Sequence, residues 1–201
     1  MLAELILSCA PALDPRLAIA LIKRESGFNQ FAIGLDSKHN VRLSRQPRTA
    51  QEAVLTAADL AQKGYSFSVG LTQIHITNVK KWGISWDDAF IPCTSLKISQ
   101  SIFLSFFKVA QSAGYKGDDA VYAALRGYNS GSINAQVSNN YASAIMASAK
   151  GQQGQIPVLK NQIQTASAPV LEQLALNQSA TTRNLQDGTD SAERAEMQEN
   201  R

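Results

Sequence analysis

Asp14-Pro15-Arg16-Leu17-Ala18-Ile19-Ala20-Leu21-Ile22-Lys23-Arg24-Glu25-Ser26-Gly27 reads as a short helix that ends on a carboxylate. Asp14 caps free backbone N–H groups, and Pro15 suits the first helical position. Gly27 supplies the stop, because it enters the left-handed cap conformation without a side-chain clash. Leu17, Leu21 and Glu25 are spaced i, i+4, i+8, so the acid shares a stripe with two leucines rather than lying on the solvated face. Desolvation there favours the neutral carboxyl, and the negative end of the helix dipole pushes the same way. The pattern therefore predicts a raised pKa, which is what a general acid requires near neutral pH. The competing reading is a last-turn surface residue that turns toward Lys23 or Arg24.

Outward from this helix, Leu2 to Cys9 predicts a first short helix ended by Ala10-Pro11. Phe28 to Gly34 is too apolar for a free loop and too irregular for a helix, and reads as an ordered segment beside the acid. Leu35 to Pro47 is a polar, basic loop. Thr49-Ala50-Gln51-Glu52 has the form of a capping box. It opens a helix with Val54, Leu55, Ala58 and Ala61 on one face, running to about Lys63 and stopping at Gly64. Tyr65 to Val69 alternates polar and apolar residues, as a short strand or an extended lead into Gly70. Gly70-Leu71-Thr72-Gln73-Ile74 is expected to turn into a helix through about Lys80, closed by Trp82-Gly83. After a loop with Pro92 and Cys93, Thr94 or Ser95 caps a long helix bearing Ile98, Ile102, Phe106 and Val109, ended by Gly114. Asp118 or Asp119 caps a helix over 120–125 that delivers Arg126-Gly127-Tyr128-Asn129-Ser130-Gly131. A last core helix covers roughly 133–146 and includes Tyr141.

The 201 residues allow one ordinary domain plus a tail. With 44% hydrophobic and 17% charged residues, a sizeable core is available. Beyond about Ser148 the chain turns to Gln, Ser, Ala and Asn, a composition that cannot offset its ordering entropy. Residues 1–147 are thus expected to form the globular domain and 148–201 a disordered tail, with at most a transient helix over 170–176. The formal charge is +3, and the tail's five basic and six acidic side chains leave +4 before it. Arg42, Arg45 and Arg48 are the densest basic cluster, too sparse for nucleic acid. No run is long enough to span a membrane. Met1 to Leu7 lacks a basic n-region and is interrupted by Glu4, so it is not a complete signal peptide. Cys9 and Cys93 fit either two buried thiols or one long-range disulfide. His39 and His75 have no ligand-like spacing and read as ordinary polar residues.

Four pieces occur in order: Glu25-Ser26, Gly70-Leu71-Thr72-Gln73, Tyr128-Asn129-Ser130-Gly131, and Tyr141. From Cys9 through Tyr141 they resemble the lytic transglycosylases of the lysozyme-like superfamily. The branch associated with type IV secretion and conjugation is the most similar, through Cys9-Ala10-Pro11, Phe31-Ala32-Ile33-Gly34, Gln46-Pro47-Arg48, Gly64-Tyr65-Ser66-Phe67 and Pro92-Cys93. The resemblance implies a mainly α, lysozyme-like fold with minimal β structure. It implies that Glu25 is the sole acid/base, that Ser26 supports the local hydrogen bonds, and that Tyr141 bonds the Glu25 carboxyl. Gly70, Gln73, Tyr128 and Asn129 would form the sugar-binding set, with Gln73 and Asn129 reaching the sugar.

Taken alone, Gln73 is a first-turn surface residue, Asn129 a turn residue beside Gly131 and Tyr141 a core aromatic. The chain departs from the family pattern at Thr72, where Met is frequent, at Ser68, where an acid is common, and at Gln30, where Pro is common. The implied reaction cleaves the MurNAc–GlcNAc bond of peptidoglycan with 1,6-anhydro ring closure and needs no metal or cofactor. A hydrolase of the goose-lysozyme kind, with Asp36 as second acid, and a non-catalytic assembly factor are the alternatives. The substrate implies a periplasmic location and hence a Cys9–Cys93 disulfide, with type IV secretion channel subunits as partners of the tail.

Overall fold

A computed structural model describes residues 2–39 and 41–151. The expectations for the tail beyond residue 151, including its helix over 170–176, lie outside the described residues. Local signals place the first two helices. Helix α1 spans Leu2–Cys9 and α2 spans Pro15–Ser26. The Asp14 carboxylate accepts the Arg16 N–H at 2.8 Å. Gly27 lies at φ 58° and returns its N–H to the Lys23 carbonyl, closing the helix where the sequence says it should stop. Leu17 and Leu21 are buried at 4% and 2% exposure, so the stripe that carries Glu25 faces the core.

Three short strands follow: β1 at Ile33–Leu35, β2 at Phe67–Val69 and β3 at Ile74–His75. They pair antiparallel in the order β1-β2-β3, with Ile33 opposite Val69 and Val69 opposite Ile74. The ordered segment after Gly27 therefore ends by joining a sheet, which its own residues did not announce. The outer edge of β1 is closed by Gln46, whose side-chain amide accepts the Ile33 N–H at 2.8 Å and donates to the Ile33 carbonyl at 2.9 Å. One side chain thus takes the place of a fourth strand.

The other helices are α3 at Ala50–Gln62, α4 at Ile76–Trp82, α5 at Trp86–Ala89, α6 at Pro92–Ser112, α7 at Gly117–Ser130 and α8 at Asn139–Lys150. Several differ from expectation. In α3 the buried stripe is Ala53, Ala57 and Leu60, while Leu55 is 63% exposed. Thr49 accepts the Glu52 N–H at 3.2 Å, but Glu52 reaches back to the Arg48 N–H at 2.9 Å rather than to Thr49, a capping box widened by one residue. Helix α5, capped by Ser85, was not foreseen. Helix α6 starts at Pro92, so Cys93 sits in its first turn and not in a loop. Helix α7 continues through Ser130, which makes Asn129 helical rather than a turn residue. Helix α8 begins at Asn139 and runs to Lys150, past residue 147, with Ala149 fully buried.

Two apolar clusters result. The first joins α1, α2, α6, α7 and α8 through residues such as Ile6, Leu17, Ile22, Phe103, Leu125 and Ile145. The second gathers the sheet, α3, α4 and α5 around Ile33, Phe67, Val69, Ile74 and Phe90. Helix α6 serves both, sending Leu96, Phe103 and Phe107 into the first and Ile98 into the second. That double duty is why its buried face is not the single stripe ending at Val109, which is 52% exposed. Close packing of α6 on α7 requires Gly127, where a Cβ would fall 2.4 Å from the Phe106 ring. The Cys9–Cys93 disulfide, with Cα atoms 5.2 Å apart, ties the end of α1 to the start of α6. Among the described residues no helix is long and apolar enough to cross a membrane.

Candidate active site

The two clusters meet at the turn between β2 and β3. Leu71 belongs to the helical cluster and Ile74 to the sheet cluster, so the chain crosses the seam at Gly70-Leu71-Thr72-Gln73. These residues form a tight turn, closed by the Gln73 N–H on the Gly70 carbonyl at 3.2 Å, instead of the first turn of a helix. Gly70 is at φ 79°, and a Cβ there would lie 2.7 Å from the Ala89 carbonyl, so both conformation and space exclude a side chain. Gln73 takes φ 52°, an uncommon value for a residue other than glycine. Its side-chain N–H groups compensate by donating to the Ala32 and Gly70 carbonyls at 3.1 and 3.0 Å. Its Oε1 rests against Gly34, 2.7 Å from where a Cβ would stand.

Three helices anchor this turn. From the end of α2, the Ser26 hydroxyl donates to the Leu71 carbonyl at 2.7 Å. From α6, Ser95 bonds the fully buried Thr72 hydroxyl at 2.7 Å. From α7, the Tyr128 hydroxyl donates to the Thr72 carbonyl at 2.8 Å and lies 3.0 Å from the Ser99 hydroxyl. Thr72, which departs from the family pattern, is thereby matched by a polar floor of Ser95 and Ser99. Sequence reasoning missed both serines, although two small polar residues at i, i+4 within a buried helix face were a visible signal.

Glu25 lies where α2 reaches the turn. It is mostly buried, and the Tyr141 hydroxyl from α8 donates a short hydrogen bond to its Oε1. Burial pushes the carboxyl up, while the Tyr141 hydrogen bond and the positive charge of Arg24 pull it back, leaving a value of about 7 against an ordinary 4.5. Burial and the Glu25 charge also push the Tyr128 and Tyr141 phenols upward, so both remain protonated donors at neutral pH. Tyr141 is a core aromatic by burial, at 7% exposure, and also the partner of the acid. Asn129 is exposed near the end of α7, with its amide N–H on the Ser138 hydroxyl at 2.8 Å. The structure thus joins Glu25 to Tyr141, and Ser26 and Tyr128 to the turn that carries Gly70 and Gln73.

A second polar cluster forms at the far end of the sheet. Ser66 donates to the Asp36 carboxylate at 2.5 Å and lies 3.0 Å from His75 Nε2. The Ser66 N–H donates to His39 Nε2 at 2.8 Å, and His75 caps α4. The two histidines, separate in sequence, therefore share one serine. Burial raises the Asp36 carboxyl, but Ser66, His75 and Lys38 outweigh it and hold the acid below its ordinary value. Among the described residues no group of three potential metal-binding side chains converges.

A family model described as "Transglycosylase SLT domain" matches residues 5–149. The type IV secretion system protein virB1 of Brucella abortus is 39% identical over 102 residues, covering 51% of this chain and 42% of that protein. Its counterpart from Brucella suis gives the same figures. The protein virB1 of Agrobacterium fabrum is 28% identical over 145 residues, covering 71% of this chain and 56% of that protein. The chain spans about half the length of the curated relatives it matches. No solved structure matches it.

Proposed function

The chain belongs to the transglycosylase SLT domain family, and from that premise we propose that it is a peptidoglycan lytic transglycosylase with Glu25 as its one acid/base. The observation that carries this reading is the partly buried Glu25 carboxyl, held by Tyr141 and raised to about 7. Such a group is partly protonated at neutral pH and able to give a proton, then take one back. Ordinary glycosidases divide these tasks between two carboxylates. A transglycosylase needs one, because the nucleophile comes from the substrate.

In the first step Glu25 protonates the oxygen between N-acetylmuramic acid and N-acetylglucosamine, and the bond from C1 to that oxygen breaks. The muramic 2-acetamido group supports the positive charge at C1. The C6 hydroxyl then attacks C1, its proton passes to Glu25, and a 1,6-anhydro ring closes. Atoms and charge balance without water. Gly70 keeps the turn tight. Gln73 has its N–H groups bound to backbone, so its Oε1 is the end that accepts from a sugar hydroxyl or acetamido N–H. Asn129, exposed near the end of α7, is the second residue proposed to reach the sugar. Ser26 and Tyr128 hold the turn against α2 and α7, a positioning role.

The Brucella relatives are named type IV secretion system proteins, which supports a setting we propose for this chain: local opening of the wall in the periplasm during assembly of such an apparatus, with residues 148–201 meeting channel subunits. Mass spectrometry of products from purified peptidoglycan tests the reaction. Anhydro-muropeptides, one water lighter than hydrolysis products, are expected. Reducing ends alone would replace the reading by a lysozyme-type hydrolysis, and an intact substrate by a non-catalytic assembly role.

A further inference from the structure

The guanidinium of Arg24 lies over the Tyr141 ring, 6.0 Å from its centroid. The same phenol donates to Glu25. Arg24 is exposed in the last turn of α2, immediately before the acid, and takes part in no ion pair found among the described residues. We propose that Arg24 is a positioning residue: lying over the Tyr141 ring, it keeps the phenol on Glu25 and stabilises the carboxylate that remains after the acid has given its proton away. The inference deepens the reaction proposed above and rests on Glu25 being the acid.

The geometry leaves few other candidates. The ionisable groups that face Glu25 are Tyr141 from α8, Tyr128 from α7 and Arg24 from α2 itself. Tyr128 gives its hydroxyl to the Thr72 carbonyl, and Leu71, Thr72 and Gln73 carry no charge. A carboxylate in this desolvated position has one neutral O–H donor and one nearby cation. A single acid that must also serve as base needs both of its states to be accessible. Burial alone would trap the proton on Glu25. A guanidinium offsets that trap, and its flat face suits the aromatic ring as an ammonium does not. Arg24 acts on the same balance as the phenol, pulling both Glu25 and Tyr141 toward their ionised forms.

The test uses the full chain with Arg24→Gln and Arg24→Lys, labelled with carboxyl-13C glutamate. The Glu25 resonance is assigned by its loss in Glu25→Gln, and folding is checked by circular dichroism. In Arg24→Gln the Glu25 midpoint should rise by about half a pH unit, an exposed charge being partly screened. The upper limb of the kcat profile should move with it. Arg24→Lys should restore most of the midpoint but less of kcat. High salt should shrink the difference between wild type and Arg24→Gln. An unmoved midpoint overturns the proposal. So does a rise in KM confined to peptidoglycan with free stem-peptide carboxylates and absent with their amidated forms, which would make Arg24 a substrate contact. The titration needs no turnover, so failure to release muropeptides would count against the reaction while the midpoint still judges Arg24.

Discussion

Glu25 and Asp36 are both partly buried carboxylates, one at the seam between the two clusters and one at the far end of the sheet, and burial pushes both toward the neutral form. They finish on opposite sides of their ordinary values. Glu25 receives one phenol O–H and a neighbouring guanidinium, which do not cancel desolvation. Asp36 receives the Ser66 hydroxyl, His75 and Lys38, which more than cancel it. Burial therefore does not make an acid by itself; the number and charge of its partners decide. Asp36, which ties strand ends together, is held toward its ionised form, and Glu25, left with fewer compensating partners, is held toward its neutral one.

The largest test of this contrast is activity. Glu25→Gln should lower muropeptide release by about 10²–10⁴-fold with the fold intact, whereas Asp36→Asn should change it by less than about threefold. Comparable losses in both would revive Asp36 as a second acid and favour water as the nucleophile.

Stability against pH should separate them next, with opposite sign. The folded Glu25 value lies above its unfolded one, so its contribution is fully present below about 4.5 and is lost as pH rises through about 7. Glu25→Gln should then be more stable than wild type above pH 7, by about 3 kcal/mol, and lose that advantage by pH 4. Asp36 is held below its ordinary value, so its contribution is present above 3.8 and lost as pH falls further. Wild type should exceed Asp36→Asn at neutral pH, and the gap should close in acid. Denaturant midpoints across pH 3–8 read both curves; parallel curves would break the contrast.

Removing one donor from each carboxylate sharpens it further. Tyr141→Phe should cost about tenfold in kcat and move the Glu25-dependent limb upward, because the lost hydrogen bond had favoured the ionised form. An unmoved limb would mean that the phenol only packs. Ser66→Ala should be the mildest, about 1 kcal/mol of stability with kcat nearly unchanged, since it loosens the sheet edge and leaves the seam alone.

Legibility in the sequence followed the range of the interactions. Helix α2 was readable to the residue, because Asp14, Pro15 and Gly27 act through neighbours one to four positions away. The stripe of Leu17, Leu21 and Glu25 needed only helical periodicity. In α6 the same periodicity misled, since the helix packs on two clusters and buries Ser95 and Ser99 beside Leu96 and Ile98. The local pattern puts Gln73 at the start of a helix, because nothing local reveals that Val69 and Ile74 pair across a turn. The Asp36–Ser66–His75 cluster was invisible for the same reason, its members being 9 to 39 positions apart.

What the chain's sequence determined by itself is the helical frame, the acid at the end of α2 and the order of the motifs, all of which rest on capping, periodicity and residue chemistry within a few positions. The Tyr141–Glu25 pairing, 116 positions apart, followed from the family resemblance and not from local pattern, and the structure shows it; only the tertiary structure decided that Ser26 and Tyr128 grip the Gly70–Gln73 turn from two helices and that Arg24 lies over the tyrosine. A proton affinity is set by desolvation and by the partners within a few ångströms, and those are fixed only when the two clusters pack against each other.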